Sequence, residues 1–221
     1  AFLLAPNTSA GDLYVDLGTL TVTNAAALGT GTVYVNEEET AGIKALCLDN
    51  RSAGAAMTVA NTLVLGDEAS TGGEHRMLFR AGTFDVAGTL TAAGSKVTAN
   101  ESAHVHLRGG IDGSRLTLSP WSQSAFFVED RPFALTEALV VDSQGDVHLN
   151  VAGATVPAVF GTEKARLVLG GENFYPAGAV FAAQPPRPEA HLVIDVACHN
   201  QSLGAFVGEG GERSRLCTLM N

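Results

Sequence analysis

Apolar residues arrive along this chain in short alternating runs, and glycine, asparagine or aspartate stands at the breaks between them. Thr32-Val-Tyr-Val35, Thr83-Phe-Asp-Val86, His104-Val-His-Leu107, Val147-His-Leu-Asn-Val151 and Ala179-Val-Phe-Ala182 each place apolar side chains on one side of an extended backbone. A period of two predicts half-buried strands, and the small polar residues between them predict tight bends. Val, Leu, Thr and Ala fill the runs, 25 residues are glycine and only 6% are aromatic, which suits short strands and argues against a helical bundle.

One strand type recurs. Gly18-Thr-Leu20-Thr-Val, Asn61-Thr-Leu63-Val-Leu, Gly88-Thr-Leu90-Thr-Ala, Ser114-Arg-Leu116-Thr-Leu, Ala165-Arg-Leu167-Val-Leu and Ser214-Arg-Leu216-Cys-Thr share a leucine at the third position. Weaker copies centred on Ile43, Leu139 and Leu192 bring the marks to nine, at intervals of roughly 25 residues. A unit of about 25 residues holding two or three strands cannot bury its own apolar face. Stacked on copies of itself it can, each strand pairing with its counterparts about 4.8 Å above and below. The expected fold class is therefore all-β, a right-handed parallel β-helix (solenoid) of about nine coils. A β-sandwich or jelly roll also uses short strands at close spacing and is the alternative. Columns of Leu, Val and Ala suit a narrow coil interior better than indoles do.

Charge narrows the partners. Thirteen Lys and Arg against 23 Asp and Glu give a net charge of -10, and Arg51, Arg76, Arg108 and Arg166 stand singly. Neither nucleic acid nor an anionic membrane surface is expected to bind such a chain. The acidity opposes association through strand edges instead. No apolar run is long enough for a spanning helix, so direct membrane insertion of this segment is not expected. Beginning at Ala1 without Met, the chain is expected to be a processed or excised piece. Three cysteines, Cys47, Cys198 and Cys217, make no disulfide-rich scaffold and no Cys-x-x-Cys pair. A buried unpaired thiol is the preferred reading of each, with pairing of Cys198 and Cys217 open if neighbouring layers stack them. Asn-x-Ser/Thr at Asn7, Asn50, Asn100 and Asn200 carries no weight in so Ser- and Thr-rich a chain.

The stretch Ala165-Arg-Leu-Val-Leu-Gly-Gly-Glu-Asn-Phe-Tyr-Pro-Ala-Gly178 joins the strand pattern to a turn bearing both asparagine and tyrosine. It resembles the repeat of autotransporter passenger domains of Gram-negative bacteria, of general form Gly-Thr-Leu-Thr-Leu-x-Gly-x-Asn-x-Tyr-x-Gly-Gly. Leu167, Leu169, Gly171, Asn173, Tyr175 and Gly178 carry the match; one extra residue before the last glycine and Pro176 depart from it. Residues 45–66 and 107–118 look like partial copies. The resemblance implies passenger-type repeats over 1–183, a Pro-rich loop at 184–188 and further coils over 189–221 that stop within a repeat. It also implies export across the outer membrane to the cell surface or medium.

Passenger-type repeats serve as enzymes or as bare stalks, so each chemical candidate stands alone. Gly-Asp-Ser-Gly, Gly-x-Ser-x-Gly and His-Glu-x-x-His are absent. The acidic groups Glu37-Glu-Glu39, Asp67-Glu68 and Glu129-Asp130 sit among Gly, Ser and Thr as solvated loop charges do; adjacent strand residues cooperate only at bends. His104 with His106, and Asp146 with His148, have metal-compatible spacing but need a third ligand from another coil, so exposed strand histidines are expected. Trp121 is expected at a turn, packed over a coil edge or free to stack on a sugar. Asn173 and Tyr175 are expected to serve a bend, the asparagine bonding backbone and the tyrosine covering an apolar corner. Together these predict a noncatalytic stalk and adhesion or interaction surface that needs no cofactor or metal. Its specificity is expected in loops 66–77 and 119–133. Its expected partner is a protein or glycan of a host or neighbouring cell, or a second copy. The alternative is a carbohydrate-active enzyme, a polysaccharide lyase or glycoside hydrolase, with carboxylates converging on one outward sheet.

Overall fold

Alternation in sequence becomes alternation in burial: Met77–Arg80, Thr83–Val86 and Leu63–Leu65 each bury every second side chain. The computed structural model describes residues 1–3, 5–16, 18–35, 44–51, 54–66, 77–121, 123–142, 144–162, 164–171, 179–183, 191–199, 201, 204–207 and 216–220. Among these the chain is all-β apart from one 3-10 turn, Ala25–Leu28, whose first turn is capped by the Asn24 side chain. Every strand pairing among the described residues is parallel. A jelly roll pairs its strands antiparallel, so that alternative fails.

The strands fall into three rows. The first stacks Phe2–Leu3, Gly18–Val22, Lys44–Asp49, Met77–Arg80, Ser95–Asn100, Ile111–Pro120, Phe133–Val141, Ala158–Gly161, Val180–Ala183 and Phe206–Val207. The second stacks Met57–Val59, Thr83–Val86, His104–Leu107, Ala125–Val128, Asp146–Leu149, Lys164–Leu169, His191–Asp195 and Leu216–Met220. The third holds Leu13–Val15, Val33–Val35, Leu63–Leu65 and Leu90–Ala92, and then runs into the front half of Ile111–Pro120. That strand pairs with Leu90–Ala92 through Ile111–Gly113 and with Ser95–Asn100 through Leu116–Pro120, so it splices the third row to the first. These long parallel sheets curl into a half-barrel.

The splice has a local cause. Gly113 has φ 136°, a conformation side chains rarely adopt, and a Cβ there would collide with the Ala92 carbonyl oxygen. Pairing then slips by one residue between Gly113–Leu135 and Arg115–Ala138, a bulge that bends the chain from one row into the next.

Inward side chains form continuous columns. Met57, Phe84, Val105, Phe126, Val147, Leu167 and Ile194 occupy successive rungs of the second row and are buried. Burying each Val, Leu, Ile or Phe contributes about 1.5–3 kcal/mol. The interior is more aromatic than the expected aliphatic columns: Phe79, Phe84, Phe126, Phe133 and Phe181 are fully buried. Phe79 meets Phe84 and Phe126 edge to face at 5.0 and 6.3 Å, so the space between the rows accommodates rings.

The eight described marks are strand positions, yet they do not lie on one row. Leu20, Leu116 and Leu139 belong to the first row, Leu63 and Leu90 to the third, and Leu167, Leu192 and Leu216 to the second; Ile43 lies outside the described residues. In the second row Asp85, His106, Phe127 and His148 are rung partners at one constant interval, the same 21 residues that separate Glu129 from Asn150. Elsewhere the chain makes a longer circuit before it pairs, as between the partners Cys47 and Leu78. The apparent period of about 25 is thus an average of short circuits, long circuits and jumps between rows.

Candidate functional site

The outward side chains of the second row form a stripe in which three rings on successive rungs, His106, Phe127 and His148, lie between charged groups. Strand pleating sets this: in His104–Leu107, Ala125–Val128 and Asp146–Leu149 the residues between the buried ones face out, and parallel pairing stacks them in register. His106 lies 4.8 Å from Phe127 with ring planes 13° apart, and His148 lies 4.6 Å from its other face at 19°. His104 meets Phe127 edge-on at 6.1 Å.

An arginine-centred cluster flanks the rings on each side. Arg108 contacts Asp85 at 3.2 Å, Glu129 at 2.9 Å and Asp130 at 3.4 Å. Glu129 also lies 3.2 Å from Nδ1 of His106 and accepts a hydrogen bond from Asn150. Arg166 bridges Asp146 at 2.9 Å and Asp195 at 2.6 Å. The hydrogen bond to Asp85, with help from Glu129 and Asp130, raises the Arg108 pKa further above its ordinary value. The hydrogen bond from Arg166, and one from the Ala197 N–H, hold the carboxyl of Asp195 below its ordinary range. Burial pushes His148 down, Arg166 and His104 add to this, and Asp146 and Asp195 oppose it.

The expected strand histidines differ in exposure: His104 is exposed, while His106 and His148 are half-buried and held by ring stacking. Phe127 separates His106 from His148, so the two imidazoles do not face a common ligand. Among the described residues no group of three His, Cys, Asp or Glu is arranged to hold a metal ion. Glu129 and Asp130 do act together, because they lie at the bend after Ala125–Val128, where side chains on successive residues converge on Arg108.

Other sequence candidates are dispersed. Leu167 and Leu169 point into the core and Gly171 is buried at the following bend, its carbonyl accepting from Gln201. Asn173, Tyr175, Gly178, Glu37-Glu-Glu39, Asp67-Glu68 and residues 184–188 lie outside the described residues, as does most of loop 66–77. The role expected of Asn173 is seen at two other bends: buried Asn50 donates to the carbonyls of Ala55 and Thr83, and buried Asn61 to those of Gly29 and Gly31. Trp121 follows Ile111–Pro120 at a turn and its side chain is exposed, while its backbone N–H donates to the Ala99 carbonyl. Cys47 is a buried free thiol whose pKa burial pushes up, whereas Cys198 is free and exposed.

Arg108, Arg166, Asp85, Asp195 and Phe127 were not apparent as site residues from composition or motifs. The interval between Glu129 and Asn150 would have found most of them, since Arg108 precedes Glu129 by the same step and Asp85, His106, Phe127 and His148 repeat it. No family model matches the chain, and no curated protein or solved structure matches it either.

Proposed function

We propose that the chain is a noncatalytic segment of a secreted or cell-surface protein, of the autotransporter passenger type, built as a right-handed parallel β-helix. It acts as a stalk that carries an interaction surface. The parallel rungs support the coil reading, and right-handed crossovers are the rule between parallel strands. Ten rungs of the first row among the described residues, one more than the nine coils expected, span about 43 Å at about 4.8 Å per rung.

One observation carries the functional reading: the second-row stripe presents rings and ion pairs in fixed register on a rigid face. Its acids are already matched to Arg108 and Arg166 rather than held as an unpaired acid and base. Such a face recognises a partner by planar, preorganised polar groups, and it needs no cofactor. The partner is a protein or glycan of a host or neighbouring cell, or a second copy. A glycan array and a cell-surface binding assay test this, with Phe127→Ser and Arg166→Gln chains as controls. Binding that both substitutions weaken at least tenfold supports the stripe; binding that neither alters removes it.

A carbohydrate-active enzyme has one observation in its favour, the convergence of Asp85, Glu129 and Asp130 on a single guanidinium. Release of reducing or unsaturated ends from a polysaccharide panel, abolished by Asp85→Asn, would replace the stalk reading with this one.

A further inference from the structure

Three of the six histidines of the chain meet around one phenyl ring, that of Phe127. The charged groups facing them come from every neighbouring strand of the row. Asp85 is the rung partner of His106, and Arg108 directly follows the strand that carries His104 and His106. Glu129 and Asp130 follow the Phe127 strand, and Asp146 shares the His148 strand. Lys164 and Arg166 come from the next strand, and His191 and Asp195 from the one after. The two stacked histidines differ in how closely a carboxylate reaches them. His106 has Oε2 of Glu129 3.2 Å from its Nδ1, within hydrogen-bond reach, although Arg108 binds the same oxygen at 2.9 Å. His148 has its nearest carboxylate oxygen, Oδ2 of Asp146, at 3.8 Å, and Arg166 already binds that oxygen at 2.9 Å. A proton on His148 thus brings a second cation to an acid that has one, at a distance too long for the hydrogen bond that Glu129 offers His106, in a half-buried rung between Phe127 and Val168.

We propose that this ring stack is an acid-sensitive latch: with His148 neutral it clamps Ala125–Val128, Asp146–Leu149 and Lys164–Leu169 together, and protonation of His148 loosens those rungs before the rest of the ladder. The device does not depend on what the stripe binds. Burial and Arg166 lower the proton affinity of His148 in the closed state, and an opened rung restores its ordinary value of 6.5. The opened form then binds the extra proton, so the closed state is fully favoured above pH 6.5 and loses ground as pH falls below it. Each pH unit in that interval multiplies the opening constant by up to about tenfold.

Hydrogen exchange of the full chain, followed by mass spectrometry at pH 7.5, 6.5 and 5.5 and corrected for intrinsic rates, reads this directly. Residues 125–149 should show several-fold faster opening at the lowest pH while 95–100 do not change. His148→Gln should remove the acceleration, and His106→Gln should leave it in place. Acceleration that persists in His148→Gln, or that covers all rungs equally, would overturn the proposal. Should the variant not fold, proton NMR of the unaltered chain decides: a His148 imidazole titrating at or above 6.5 in the folded protein overturns the latch, and one titrating below it supports the latch.

Discussion

The two sheets hold charge in different ways on equivalent outward positions. In the first row, Lys96 donates to Asp142 at 2.7 Å, and Ser119 and Thr162 donate to the same carboxylate. Both charged side chains are mostly shielded, 24% and 19% exposed. In the second row, Arg166 is 41% exposed and divides its guanidinium between Asp146 and Asp195. Parallel rungs deliver partners to one another in both places, so geometry is not what differs. Solvent is. The first-row pair loses hydration and depends on every donor it has, whereas the second-row arginine remains wet and depends less on each.

Removing one cation from each region separates them. Lys96→Met leaves Asp142 shielded with only hydroxyl donors, and should cost about 3 kcal/mol in urea denaturation. Arg166→Gln should cost about 1 kcal/mol by the same measurement, since the guanidinium is 41% exposed, Asp146 is 32% exposed, and Asp195, though only 16% exposed, keeps the hydrogen bond from the Ala197 N–H. Equal costs would show that exposure does not govern the contrast. Acid sharpens it. Burial pushes the Asp142 carboxyl up, but the hydrogen bonds from Lys96, Thr162 and Ser119 outweigh this and hold it below its ordinary 3.8. A carboxyl lowered on folding leaves the unfolded chain as the better proton acceptor. Its stabilisation is therefore complete above pH 3.8 and disappears as pH falls through the lowered value. Unfolding followed from pH 5 to 2 should show a shallower acid loss in Lys96→Met than in the unaltered chain. The smallest effect is expected at the exposed corner where Arg51 and Arg80 share Glu101; Arg51→Ala should shift stability by at most about 0.5 kcal/mol.

Alternating burial was legible in the sequence because strand pleating has a fixed period of two, and stacking was legible because leucines recur. The row assignment was not. Leu90 and Leu116 look like one strand type repeated, yet the first pairs with Leu63 in the third row and the second with Leu139 in the first row. Local sequence sets strand and bend, but the row depends on residues that pair across a whole circuit. The stripe escaped notice for the same reason. His104, His106 and His148 were recognisable as candidates, while their actual neighbours Phe127 and Arg166 are fixed by rung pairing a full circuit away. Short motifs do not carry that information.

The unequal circuits also say how this gene can change length. Leu46 and Met77 pair as well as Val97 and Met77 do, although far more chain separates the first two than the second. Length can thus be gained or lost in the connection between Leu65 and Met77, provided that Met57–Val59, Leu63–Leu65 and the strands that flank them still meet their rungs. A single codon inserted within the closely wound strands from Thr83 to Val141 is different, because it turns each following side chain in its strand to the opposite face. Length variation among descendants of this sequence should therefore collect at the long circuits and leave the short ones at constant length.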